Sequence, residues 1–218
     1  MLAPFVLAAA VASAVAFPAA GTYSYAASLN GEPVGNWSVS VKGLQSGTEV
    51  DENSSASLMG MQLAAQAALV LSGDLSPTRY DGHYKTPNQS PNVSVSLTPS
   101  SATVMGLMSA QPQQLALAGG TRHFVVIEPG LLAGLFALPA QLASWKEASL
   151  TWVTPTSAQA QVLTTGPPTA ARPAGVPGSD VLLSIASPIA VGIWYDPATL
   201  VPDRISVPSQ NAVLTRIR

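Results

Sequence analysis

Thr22-Tyr23-Ser24-Tyr25-Ala26-Ala27-Ser28-Leu29-Asn30-Gly31-Glu32-Pro33-Val34-Gly35-Asn36-Trp37-Ser38-Val39-Ser40-Val41 decides the fold. Every second residue of its first third is large or apolar, and Trp37, Val39 and Val41 repeat that phase on the return. Period two is the mark of a strand with one buried face. Asn-Gly between two such runs is a strong hairpin signal, because both residues accept the left-handed backbone of a tight turn. Pro33 predicts a loop somewhat longer than the minimal two residues. Residues 21–42 therefore read as an antiparallel hairpin.

The same rhythm extends outward. Alternating runs occupy residues 48–58, 62–71, 78–84, 92–98 and 102–108, and after an interruption 148–153, 158–163, 181–186, 191–195, 204–207 and 212–217. Gly, Pro, Asn and Ser clusters separate them. Residues 62–71 also suit a helix, through Ala64-Ala65-Gln66-Ala67-Ala68, but polar alternation and the following Gly73 favour a strand. A strand about every ten to twelve residues indicates an antiparallel meander that curls into a sandwich or barrel.

Residues 129–143 break the rhythm: they lack β-branched residues and space their apolar positions as a helix does. Glu128 before Pro129 reads as a helix start, with proline tolerated in the first turn. Pro139 predicts a kink or a split. The Pro/Gly/Ala-rich stretch 166–178 is an exposed connector, since the strand pattern is the same on both sides.

The first sixteen residues are an apolar run ending in Ala14-Val15-Ala16. The run is too short to span a bilayer and fits a signal-peptide core with an Ala-x-Ala cleavage site, although no Lys or Arg precedes it. The competing reading is a buried N-terminal helix. The export reading places the working chain in the periplasm or outside the cell, as one domain over residues 17–218 with the helix as a central insertion. No cysteine is present to form a disulfide or carry a lipid anchor, so no stable membrane attachment is expected.

Only 9% of residues are charged, against about a quarter in an average soluble protein. The net charge of −2 and the scattered basic residues leave no footprint for a phosphate backbone. Nucleic acid is therefore excluded as a partner. The mean hydropathy of +0.31 raises the question of whether apolar surface lines a cavity.

Catalytic chemistry finds little support. There is no G-x-S-x-G, and the two histidines, His83 and His123, stand about forty residues apart. A hydrolase would have to be built from Asp74, Asp81, His83 or Glu128. Zinc spacing and nucleotide-binding glycine motifs are absent, so no cofactor and no metal are expected. Glu49, Asp51 and Glu52 form an acidic cluster in which Glu49 and Asp51 share a strand face. A calcium site or a glycosidase pair is one reading of it; a solvated strand face is the favoured one.

Several motifs taken together resemble bacterial exported proteins of the domain of unknown function 3108 type. These are Gly21-Thr22-Tyr23-Ser24-Tyr25 with Asn30-Gly31-Glu32-Pro33-Val34-Gly35, then Asp74-Leu75-Ser76-Pro77-Thr78-Arg79-Tyr80, and finally Ile193-Trp194-Tyr195-Asp196-Pro197-Ala198-Thr199-Leu200-Val201-Pro202-Asp203-Arg204-Ile205. In order and spacing they cover most of residues 17–218, while residues 128–145 depart from the group's usual polar stretch. The resemblance implies a mainly β fold: a curved antiparallel sheet or half-barrel, as in periplasmic lipoprotein carriers, with the apolar helix packed on its concave face. It carries no activity and no catalytic residues.

The remaining apolar material lies in Val104-Met105-Gly106-Leu107-Met108 and in the helix. Adaptable methionines and an apolar helix over a sheet can enclose a cavity. The other reading is that the helix only fills the core. The cavity reading names Met105, Leu107, Leu132, Leu135, Phe136 and Leu142 as ligand-binding residues. It predicts a non-enzymatic carrier of a lipid, acyl chain or other hydrophobic small molecule. The alternative is a structural or assembly protein of the cell envelope that contacts an envelope protein through its uncharged surface or an open strand edge.

Overall fold

A computed structural model describes residues 16–218 apart from Met59, Leu107, Met108 and Thr169. Residues 1–15 of the expected export signal, and Leu107 of the expected site, lie outside the described residues. The elements in order are β1 Gly21–Leu29, β2 Glu32–Leu44, β3 Gly47–Leu58, β4 Met61–Ser72, β5 Pro77–Lys85, β6 Asn92–Leu97, β7 Ser101–Gly106, β8 Ser109–Ala116 and β9 Phe124–Val126. Helix α1, Ala133–Trp145, precedes β10 Ser149–Thr154, β11 Gln159–Gly166, β12 Val181–Ser187, β13 Val191–Tyr195, β14 Pro202–Val207 and β15 Ala212–Ile217.

All these strands form one sheet, mainly a meander, that does not close into a barrel. One wing runs from β1 to β8 and the other from β15 back to β9, and the first and last strands pair antiparallel at the centre. The expected antiparallel rule has one exception, because β9 pairs parallel with β10. A parallel connection needs a crossover of a dozen or more residues, which α1 and its flanks supply. The helix packs on β3, β4 and β9, while β9 also touches β5 and β8 touches β11.

The opening hairpin forms as read, with one correction. Asn30 (φ 53°) and Gly31 (φ 85°) make the minimal two-residue turn, with Leu29 opposite Glu32. Pro33 does not lengthen the loop, because a register shift between Ala27 and Ser28 absorbs the extra residue beside it.

Cross-strand register builds the core in rows. Val41, Val50, Leu69, Tyr80, Val95 and Val104 are successive partners across β2 to β7, and all are buried. The next row toward the β1–β2 turn is Val39, Glu52, Ala67, Gly82 and Val93. The third is Trp37, Ser54, Ala65 and Tyr84. Residues 62–71 are therefore strand, with Leu63, Ala65, Ala67, Leu69 and Leu71 sharing one face.

The helix starts later than expected and, of the one-helix and two-helix forms that Pro139 left open, takes the first. It begins at Ala133 because Glu128 to Leu131 forms a Pro-Gly turn, in which Gly130 takes φ 86° and the Leu131 N–H donates to Glu128 O at 3.0 Å. Pro139 sits inside one continuous helix. Every residue from Ala133 to Gln141 is buried, so packing on all sides holds the turns together across the missing amide. Gly134 allows the approach to β9: a Cβ there would lie 2.0 Å from Val126 O.

Candidate functional site: an apolar cavity at the start of the helix

The helix covers the rows nearest Leu69, and its C-terminal half is anchored beside the β4–β5 turn. Gln141 Nε2 donates to Leu75 O at 3.0 Å, and Trp145 Nε1 donates to Asp74 O at 2.8 Å. At its other end α1 stops short. Strands β2 to β4 run on past its first turn, and beside Trp37 and Leu63 they present small residues there: Ser54, Ala56 and Ala65. The space left is a cavity of about 340 Å³. This lies within the range of small-molecule pockets, about 300–1,000 Å³.

Leu131, Leu132 and Leu135 form the wall on the helix side, and Trp37, Ala56, Leu63, Ala65 and Tyr84 line the sheet side. Ala27, Val207, Ala212 and Leu214 from the central strands complete the surface. The rim carries Lys85 and uncharged polar residues, among them Ser28, Thr86 and Gln210. Trp37 Nε1 donates to Gly130 O at 3.2 Å, tying the Pro-Gly turn to β2.

Behind this wall stands a carboxylate in an otherwise apolar row. Glu52 is 1% exposed, and its Oε2 accepts the Leu132 N–H at 2.6 Å and the Ala133 N–H at 2.7 Å. It therefore caps α1 from β3, since neither Leu132 nor its neighbours supply a side-chain cap. Its Oε1 has no hydrogen-bond partner. Burial raises its pKa to about 7 against the opposing pull of the two amides. Glu128 is also buried, with Oε2 accepting from Thr156 N at 2.9 Å and Oε1 from Thr156 Oγ1 at 2.5 Å. Burial moves its pKa upward as well. Tyr80 and Tyr84, whose hydroxyls lie 3.3 Å apart, are raised mainly by burial and further by these two carboxyls.

Of the residues named from sequence, the cavity brings together Leu132 and Leu135. Phe136 is fully buried in the core, its ring 5.2 Å from that of Tyr23. Leu142 packs against the core nearer the helix C-terminus. Met105 lies on β7, 49% exposed, and is not among the lining residues. Trp37, Ala56, Leu63, Ala65 and Tyr84 had no place in the sequence reading of the site.

The hydrolase candidates do not converge. Asp74 closes a turn by accepting the Ser76 N–H at 3.0 Å, Asp81 pairs with Arg79 at 2.8 Å, and His83 Nδ1 meets Asn92 Oδ1 at 2.8 Å. His123 stacks on Trp145 with centroids 4.3 Å apart and faces Glu147 at 3.8 Å. Glu49 and Asp51 both pair with Lys42 on the face opposite Glu52, which makes them the solvated strand face. Among the described residues no group of three or more His, Asp or Glu is placed to hold a metal ion.

No family model and no curated protein matches the chain. Among solved structures, a DUF1089 family protein from Pseudomonas aeruginosa aligns over 95% of this chain and 98% of its own, with 8% identity and a TM-score of 0.48.

Proposed function

We propose that this chain is an exported periplasmic or secreted protein that binds or carries a hydrophobic molecule, a lipid or an acyl chain, in the cavity beside the first turn of α1. One observation carries the reading: the strands overshoot the helix and leave an apolar space bounded by Leu131, Leu132 and Leu135. A core built only for packing would have filled it, since each void the size of a methyl group costs about 1 kcal/mol. The contacts of β9 with β5 and of β8 with β11 support a sheet that curls around the helix as a half-barrel. The strand motifs that resemble the domain of unknown function 3108 group fit the same shape. Binding would be driven by apolar area leaving water, about 25 cal/mol per Å² before ordering costs.

The envelope-assembly reading relies on the uncharged polar surface, which singles out no contact site, or on an open strand edge such as that at β8. That strand carries Pro112, which removes a ladder donor and blunts the edge against strand addition. The cavity reading is therefore preferred.

The test is native mass spectrometry of the protein purified from its periplasm, followed by lipid extraction. A discrete bound lipid, lost in Leu135→Asp while strand content is retained, supports the carrier. A bare polypeptide mass counts against it.

A further inference from the structure

We infer that the cavity takes one single-chain amphiphile with an uncharged head group, and that it discriminates against free fatty acids and other ionised amphiphiles. The inference rests on the ligand-binding reading above and narrows its chemistry.

The volume sets the chain count. About 340 Å³ lies at the low end of small-molecule pockets, so the space suits one chain better than the paired chains of a bilayer lipid. The charge argument follows from what surrounds that space. An anionic head would seek a helix N-terminus or a cation. The N-terminus beside this cavity is already taken, because Glu52 Oε2 holds the Leu132 and Ala133 amides. Glu128 adds a second buried carboxyl near the same end of the helix.

Among the described residues Lys85 is the one charged residue bordering the space. It is exposed at the edge of the space, beside its cross-strand partner Ala64, which also borders it, so a pair between Lys85 and an anionic head stands in water and is worth little. A cationic head fares no better: Glu128 is held by Thr156, the Glu52 Oε1 is unpartnered but buried, and neither residue belongs to the lining. An ion entering this rim gives up water and gains at most that solvent-exposed partner, so it binds less tightly than a neutral head. Hydroxyl, ester and ether heads meet Ser28, Thr86 and Gln210, which can donate and accept without charge.

The experiment compares one twelve-carbon chain with three heads: 1-monododecanoylglycerol, dodecanoate at pH 8.5 and dodecyltrimethylammonium. Each is titrated into the full mature protein by calorimetry below its micelle concentration. The expected result is one-to-one binding of the glycerol ester, at least tenfold tighter than either ion. Equal or tighter binding of dodecanoate or of the ammonium would overturn the head-group inference and leave the binding function standing. Dodecanoate binding that vanishes in Lys85→Ala would overturn it by a named route. Failure of all three ligands to bind would overturn both readings.

Discussion

The Glu52 carboxylate stands 2.6 Å from the amide nitrogen of Leu132, a contact that joins β3 to the start of α1 across eighty positions of chain. The helix has no side-chain cap of its own, and its first turn is buried, so water cannot satisfy the free amides there. Glu52→Ala leaves the Leu132 and Ala133 N–H groups without an acceptor and opens a small void. The expected loss is about 1–3 kcal/mol, the penalty of an unsatisfied buried donor. In a protein of this size that lowers the melting temperature by about 2–4 °C per kcal/mol, readable by calorimetry. An unchanged melting temperature would remove Glu52 from its capping role.

The same carboxyl gives stability a pH signature. Its folded pKa, about 7, lies above the ordinary value of 4.5, because burial opposes the charged form. Between those values the folded state holds a proton that the unfolded state has lost, so stability falls as pH rises through this window and levels off above it. Glu128 is shifted in the same direction, also by burial, and contributes with the same sign. Urea unfolding at intervals from pH 4.5 to 8 should show the wild type losing stability relative to Glu52→Gln as pH rises. A constant difference between the two proteins would show that Glu52 titrates normally.

The strands were legible because their inward phase is apolar: Trp37, Val39 and Val41 fall on one face as read, and so do Leu63, Ala65 and Ala67. β8 left no such trace. Its sequence, Ser-Ala-Gln-Pro-Gln-Gln-Leu-Ala, pairs with β7 through its backbone while residues 111–114 stay exposed. β9 is three residues long and wholly buried, so it has no alternation to read. The helix-side cavity residues, Leu132 and Leu135, were visible as apolar surplus. The sheet-side wall was not: Trp37, Leu63 and Tyr84 read as ordinary inward strand residues, and the space opens where Ser54, Ala56 and Ala65 fail to fill it, small residues that carry no positive signal. Glu52 was hidden by its neighbours Glu49 and Asp51. Its phase with Val50 was the available clue, since period two sets it on the buried face.

Filling the cavity separates binding from folding. Ala65 lies on β4 between Ser54 and Tyr84 and lines the space without belonging to the packed row beneath it. Ala65→Leu directs new side chain into the void, so stability should change by less than about 1 kcal/mol. Binding of the twelve-carbon glycerol ester should fall at least tenfold in a calorimetric titration. Full binding by a stable Ala65→Leu protein would place the ligand elsewhere.

Gly134 tests whether the helix is fixed against the sheet. Its place on the first turn of α1 brings the helix backbone against β9, where an added Cβ would sit 2.0 Å from Val126 O. That atom belongs to a backbone held in register with Val153 of β10, so it cannot give way as a side-chain tip could. In Gly134→Ala the helix must move instead, carrying Leu132 and Leu135 with it and drawing the Leu132 amide off Glu52. The expected cost is about 1–3 kcal/mol for overpacking, with binding weakened in parallel because the same turn walls the cavity. The same substitution in a Glu52→Ala background should cost less than the two changes summed, since both act on one contact. Strict additivity in this double-mutant cycle would show that the β9 contact and the Glu52 cap hold the helix independently.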